Sequence, residues 1–395
     1  MLLLATWVSL VGTEFTEVAL PFQIFEQTHS ALANGLLGLA QIGPVLLLGL
    51  LGGALADARD RRNMVRLTEL TQAALSAILL LNALLPQPLL WPLYVVGALQ
   101  AGLFGLQRPS LDAMLPRLVP RVEMTAANAI HGFALSTGLL LGPAVGGLII
   151  TFAGLPSVYA IDVASFGFSL LLLALMKAIP PAEDAGTLSL RRIGEGFAYA
   201  WSRKDLLGTY LVDMAAMFFG IPIALFPAIA AGYGGASALG FLLSVGYAGN
   251  LLTYATSGWT SHVHRHGLAV TAGALIYGGG VVLFGLANSL WLALLFLAVA
   301  NAGDTISGIF RSTIWNQSVP DHLRGRLASI ELLSYSSGPL LGNVESGVVS
   351  SLAGVRNAVW SGGLLAMAGA VAVVLALPAF RSYDARKSAS GGAGA

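Results

Sequence analysis

The sequence predicts an all-α integral membrane protein of twelve spanning helices in two six-helix halves. Three observations carry that expectation: an apolar composition, apolar runs of bilayer length, and one-sided placement of the cations. Of 395 residues, 56% are hydrophobic and only 10% charged, with a mean hydropathy of +0.78, whereas soluble domains carry about 25% charged residues. A net charge of +1 provides no basic field for nucleic acid. The absence of cysteine removes disulfides, thiolate metal sites and cysteine nucleophiles together.

A helix crosses the hydrocarbon layer with roughly 20 apolar residues, because nothing there hydrates a free backbone group. Cutting the chain at charges and turn residues gives spans near 3–25, 32–55, 64–85, 91–114, 125–151, 158–178, 206–230, 237–259, 268–287, 290–314, 327–352 and 357–379. The first run, from about Leu2 to Phe25, exceeds a signal-peptide core and has no small-residue cleavage site before Glu26, so it reads as a retained span with almost no lead-in. With alternate loops assigned to the cytoplasm from the second onward, every Lys and Arg except Arg356 lies on that side or at the adjoining helix ends. The positive-inside bias therefore places both termini in the cytoplasm.

The long hydrophilic stretch from Pro180 to Asp205 separates an N-terminal bundle (1–178) from a C-terminal bundle (206–380), with a linker at 179–205 and a cytoplasmic tail at 381–395. Within the linker, "LSLRRIGEGFAYAWSRK" sets Ile193, Phe197 and Trp201 four residues apart among arginines, the pattern of a helix lying on the membrane surface. The halves echo each other. "LVPRVEMTAANAI" resembles "SVPDHLRGRLASI", and "GPAVGG" in span five resembles "GPLLGN" in span eleven, the weak repetition of transporters built from two related bundles.

Between spans two and three, "GGALADARDRRNMV" holds Gly53, Asp57, Arg59, Arg61 and Arg62. A loop arginine cluster by itself only fixes topology; an aspartate at the mouth of a glycine-packed helix calls for more. The spacing Gly-x-x-x-Asp-x-Arg-x-Arg-Arg resembles the signature loop of the major facilitator superfamily, with Asp60 in a place where that family usually has glycine. The resemblance implies a cytoplasmic latch in which Asp57 meets a helix end and an arginine, for which Arg108 is a candidate, with Asp112 one turn on as a competitor. The second-half loop "GWTSHVHRHG" puts His262 in the aspartate's place, and His262, His264 and His266 read as a solvated remnant in preference to a metal site.

"TGLLLGPAVGGLII" in span five carries Gly138, Gly142, Pro143, Gly146 and Gly147. Small residues at this spacing bring helices close, and the run also resembles the antiporter signature of exporters in the superfamily. "ALPFQI", "NALLPQPLLWPLYVVG" and "SGWTSHVHRHG" narrow the resemblance to the enterobactin exporter and macrolide efflux branch. That branch implies a transporter of the bacterial inner membrane that expels a siderophore or drug-like amphiphile, acting as a monomer by alternating access with protons as the counter-ion.

Ionisable groups within spans are costly and mark a pathway or a pairing. Glu14 and Glu17 share a face of span one, Asp213 lies in span seven, and Asp304 and Arg311 share a face of span ten. In the superfamily, spans one, four, seven and ten line the central path, so these five residues are the candidate proton or substrate path. Span four lacks the arginine of many drug–proton antiporters, with Ala98 and Gln100 ahead of Gly102. Asp162, Glu331 and Glu345 read as packing or pairing residues, Glu69 as a partner of the arginine loop, and Phe218, Phe219, Phe226, Tyr247 and Tyr254 as candidate aromatic contacts for cargo. No Gly-x-x-x-x-Gly-Lys-Ser/Thr phosphate loop occurs, which excludes an ATP-driven pump in this chain and leaves no cofactor implied; no hydrolase-like catalytic set is apparent. A facilitator-type uptake transporter, or an amphiphile flippase without proton antiport, stays open as the alternative.

Overall fold

A computed structural model describes residues 1–58, 60–176, 199, 201–220, 223–320 and 324–386; at 50–51, 53–58, 121, 324–326 and 328–336 it describes the backbone alone. Long helices follow the apolar runs: α1 Leu2–Thr28, α2 Ala31–Ala58, α3 Arg61–Ala83, α4 Trp91–Leu118, α5 Met124–Ala153, α6 Leu155–Ala174, α7 Lys204–Phe219, α8 Phe226–Ala231, α9 Ala236–Ala255, α10 His266–Leu286, α11 Leu290–Ser318, α12 Arg324–Ala353 and α13 Val355–Ala376, then the short α14 Pro378–Arg381. With α7 and α8 taken as one interrupted span, these are twelve spans among the described residues, the fold class the sequence predicts. The linker residues Ile193 and Phe197, and the tail beyond Arg386, lie outside the described residues.

The chain forms two compact units, one of residues 1–188 and 226–244, the other of 189–225 and 245–395. In the first, α1 packs on α5 and α6, and α3 on α4 and α6. In the second, α7 packs on α12 and α13, and α10 on α11 and α13, the same pairing repeated. The helices α5 and α12 are each 30 residues long, and α12 begins and ends 200 positions after α5. Each is closed by a glycine with positive φ, Gly154 at 82° and Gly354 at 88°, a conformation that side-chain-bearing residues adopt only with strain.

That offset corrects the echo read from the sequence. "GPAVGG" matched to "GPLLGN" aligns the prolines Pro143 and Pro339; the helices instead equate Gly138 with Gly338 and Gly142 with Gly342, one turn away. Packing explains the choice. A Cβ at Gly138 would stand 2.8 Å from Leu10 Cδ2, and one at Gly142 2.6 Å from Glu14 Cβ; one at Gly338 would stand 3.1 Å from Met217 Cβ, and Gly342 lies against the backbone of Met217 and Phe218. Glycines four apart thus bring α5 onto α1 and α12 onto α7, an approach that residues with side chains forbid.

Span seven also departs from expectation, because it is not one continuous helix. α7 stops at Phe219 and a 3-10 turn, Ile223–Leu225, precedes α8. Residues 221 and 222 between them lie outside the described residues. Backbone freed within a membrane must be satisfied by other groups: the Ala224 N–H donates to Asn343 Oδ1 at 3.1 Å.

A buried carboxylate ties the first unit together. Asp162 on α6 is fully buried; Thr16 on α1 donates to its Oδ2 at 2.7 Å and Ser76 on α3 at 2.6 Å, while Gln100 on α4 donates to Ser76 at 3.0 Å. Gly12 leaves room for this hub, since a Cβ there would fall 2.8 Å from Asp162 Oδ1. Glu69, expected to serve the arginine loop, is instead buried in the helix core, where Ser9 of α1 donates to it at 3.4 Å. Helical periodicity turns position 69 inward, away from the loop.

Two stability predictions follow from these contacts. Gly142→Val forces overpacking of about 1–3 kcal/mol, so detergent-purified variant should lose monodispersity several degrees below wild type. Gly43→Ala, whose Cβ meets nothing within 4 Å, should not change that temperature. Asp162→Ala leaves two buried hydroxyls without an acceptor, at about 1–3 kcal/mol each; it should lower the same midpoint more than Asp162→Asn, which retains an acceptor oxygen. Equal midpoints for the two Asp162 variants would refute the hub.

Candidate transport site

The cytoplasmic motif is assembled from a helix end and a helix start. Gly53 and Asp57 fall in the last turns of α2, Arg59 lies outside the described residues, and Asp60 caps α3 by accepting the Asn63 N–H at 3.1 Å. Capping explains the unexpected aspartate: its short carboxylate satisfies an orphan N–H at the helix start, where negative charge is favoured. Arg61 is buried at the first position of α3, and Arg62 donates to the Met176 carbonyl at the end of α6. Arg108, the candidate partner of Asp57, is itself exposed, 4.0 Å from Asp112 and stacked over Phe104.

The five-residue signature of span five separates into two faces. Gly138, Gly142 and Gly146 meet Leu10, Glu14 and Phe15 of α1, whereas Gly147 faces the start of α9, where its Cβ would stand 3.0 Å from Gly240 Cα. Pro143 lies inside α5 without ending it. Glu14 is therefore held at the α1–α5 contact and is half-buried, while Glu17, one turn on, is exposed.

In the second unit, the intramembrane charges come together. Arg311 of α11 forms an ion pair with Asp213 of α7 and lies 3.4 Å from Asp304, two turns back on its own helix. The three side chains are only 15–28% exposed, so the pairing takes place in a poorly hydrated setting where charge attraction is strong and an unpaired ion costly. A cavity of about 330 Å³ opens beside them, lined by Thr209, Tyr210, Asp213, Met217 and Tyr254 and, from α11, by Gly308, Ile309, Arg311, Ser312 and Trp315. Asp213 and Arg311 border this cavity and Asp304 does not. Trp315 Nε1 donates to the Tyr210 hydroxyl at 3.2 Å, which orients both rings at the cavity wall.

Of the aromatic residues singled out in the sequence, Tyr254 lines this cavity. Phe226 is buried, and Phe218 and Phe219 pack edge to face with each other at 4.8 Å. Sequence reasoning missed Tyr210 and Trp315. Helical spacing held the signal, because Tyr210 is three residues before Asp213 and Trp315 four after Arg311, each one turn from the charge it accompanies. The histidine loop is corrected as well: His266 is buried, 5.3 Å from Phe310 and 6.1 Å from Tyr383 between ring centroids, while His262 stays near the surface beside Ser261.

Comparison with known proteins agrees with this architecture. Residues 1–391 match the family described as transmembrane secretion effector. The enterobactin exporter EntS of Escherichia coli O6:K15:H31 (strain 536 / UPEC) is 29% identical over 396 residues, covering 98% of this chain and 94% of the relative, and that of Escherichia coli O157:H7 is 29% identical at the same coverage. Among solved structures, a POT family transporter in complex with 5-aminolevulinic acid superimposes with a TM-score of 0.74 at 13% identity, covering 96% of each chain. The D-xylose-proton symporter gives 0.67 at 16% identity, covering 96% of this chain and 98% of that one; at such identities the likeness shows the fold. The chain is a multi-pass membrane transporter of the major facilitator superfamily and belongs to its transmembrane secretion effector family.

Proposed function

We propose that the protein is a secondary exporter of a siderophore-class small molecule across a bacterial inner membrane, with cargo seated at the Asp213–Arg311 cavity. The observation that carries this reading is an ion pair bordering a cavity whose other walls supply three aromatic rings and two hydroxyls. A polar aromatic cargo gains stacking from Tyr210, Tyr254 and Trp315 and hydrogen bonds from Thr209 and Ser312, and its own charged or hydroxyl groups compete for Arg311 or Asp213. The whole-length similarity to enterobactin exporters supports the outward direction and the class of cargo.

Transport follows from exchange of partners. Cargo that takes one member of the pair releases the other, and a carboxylate released within the membrane is neutralised most economically by a proton. Proton antiport is then the coupled reaction, with Asp213 the exchanging acid and Glu14 and Glu17 the acids on the first unit's path. Both termini face the cytoplasm in this reading, the orientation in which the arginines beside Asp57 also lie inside. Asp57 and Arg61 hold the cytoplasmic side closed and release it as the two six-helix halves alternate.

Purified protein in proteoliposomes with enterobactin in the lumen or bath tests the reading. Wild type should move enterobactin saturably and release protons in step, and Asp213→Asn should abolish proton movement and slow transport by about 10-fold or more, the loss of one strong charge-assisted contact. Cargo flux without proton flux in both proteins would turn the reading to a facilitator; no flux of either kind would remove siderophore export. Asn63→Cys, exposed at the start of α3, should react with a membrane-impermeant thiol reagent from the cytoplasmic side alone, and labelling from outside intact cells would reverse the assigned orientation.

A further inference from the structure

The chain beyond the last span folds back onto the second unit. After α13, α14 (Pro378–Arg381) places Phe380 beneath two glycines: its ring fills the space where a Gly208 side chain would begin on α7, and its carbonyl abuts Gly267 at the start of α10. Phe380 is fully buried among Leu206, Val270 and Ile314. Three residues on, Tyr383 is 8% exposed, stacks near His266, and donates from its hydroxyl to Gln317 Oε1 at 3.1 Å. The Ala385 N–H then donates to the His264 carbonyl at 3.0 Å.

The same end of α11 is tied to α7. Ser318 Oγ lies 3.4 Å from the Tyr383 hydroxyl and donates to Asp205 Oδ2 at 3.1 Å; Arg203 holds that carboxylate through two bonds of 3.0 and 2.6 Å. Tyr199 closes the knot by donating to the Ser318 carbonyl at 3.2 Å. Asp205 precedes Asp213 by eight residues, and Ser318 follows Arg311 by seven, so each is about two turns along the same helix face as its charged counterpart. α7 and α11 are thus joined twice on one seam: by the Asp213–Arg311 pair at the cavity and by this knot at their ends. The loop leading into α10 contains no carboxylate from Tyr254 to Gly267; the folded-back chain holds it through the bond from Ala385 to His264.

We propose that residues 378–386 are a clasp that sets the separation of α7 and α11 at the cargo cavity, with Phe380 and Tyr383 as its positioning residues. Neither touches the cavity. When cargo separates Asp213 from Arg311, the clasp keeps the two helices in register, so the pair re-forms on release without the helices having to find each other. The proposal rests on the cavity being the cargo seat, and its test includes a measurement that needs no cargo.

The chain has no cysteine, so two spin labels can be placed at Leu211→Cys and Asn316→Cys without further change. The distance distribution in lipid nanodiscs should be narrow, and Tyr383→Phe and Phe380→Ala should each broaden it, with Phe380→Leu restoring most of the width. Enterobactin binding, followed by the fluorescence of Trp315 against a Trp315→Phe control, should weaken roughly three- to tenfold in Tyr383→Phe, as loss of one hydrogen bond allows. On an Asp213→Asn background, Tyr383→Phe should weaken binding no further. Truncation after Arg386 should leave both readouts at wild type. Unbroadened distances in a folded Tyr383→Phe, or an additive effect on the Asp213→Asn background, would overturn the clasp. Broadened distances with no enterobactin binding in any protein would preserve the clasp and refute the cargo reading.

Discussion

Close approach of helix backbones at glycine is the interaction on which the rest of this molecule depends. Lipid tails are as apolar as leucine, so burying an apolar side chain between two helices gains little over leaving it in the bilayer. Contact must come from dispersion at short range, and that needs surfaces without Cβ atoms. Gly138, Gly142 and Gly146 provide one on α5, and Gly338 and Gly342 provide the equivalent on α12. Once α1 and α7 are seated in this way, the charged residues they carry are fixed in place: Glu14 lies against Gly142, and Asp213 stands one turn before Met217, the residue that Gly338 receives.

Polar groups then complete what the glycines begin, differently in the two units. In the first, hydroxyls from α1 and α3 both donate to Asp162 Oδ2, short neutral donors that ask for no charge exchange. In the second, Asp213 is satisfied by a guanidinium that also reaches Asp304. A hydroxyl hub on a fully buried carboxylate is difficult for a solute to compete with. A partly exposed ion pair beside a cavity is open to competition from any ligand carrying charge or hydroxyls. The contrast supports the proposed reading, in which Asp162 holds and Asp213 exchanges, although both are single aspartates within apolar helices.

Length, apolar runs and glycine spacing made the fold legible, because the bilayer permits few alternatives and sets each span's length. The helix ends were close to their expected positions, and the charged trio on spans seven and ten could be named from periodicity. What the sequence concealed depended on direction and distance. Glu69 sits within a turn of Arg66, yet the helix turns it into the core. The interruption of span seven was not read from the sequence, and the group that accepts the Ala224 N–H there, Asn343, is 119 positions away. Proline drew the eye to a match between "GPAVGG" and "GPLLGN", whereas the packing follows the glycines one turn off.

The residues after the last span show the same limit most clearly. As sequence, Pro378 to Arg386 is a short, mixed stretch following a hydrophobic helix, and composition alone gives it the character of a tail. Its role comes from vacancies elsewhere: two glycines at the starts of α7 and α10 that leave space for Phe380, a serine at the end of α11 near the Tyr383 hydroxyl, and a loop carbonyl that accepts from Ala385. None of these four partners is conspicuous in the chain, and each is at least 60 residues from the tail. A residue whose ring occupies the missing side chain on α7 and whose carbonyl abuts the glycine of α10 touches both helices at once, so any motion of α7 against α10 at that end must first displace Phe380. Under the proposed cargo seat the clasped end is the stationary end of the seam, and movement that accompanies cargo exchange is confined to the stretch beyond it, where Asp213 and Arg311 lie.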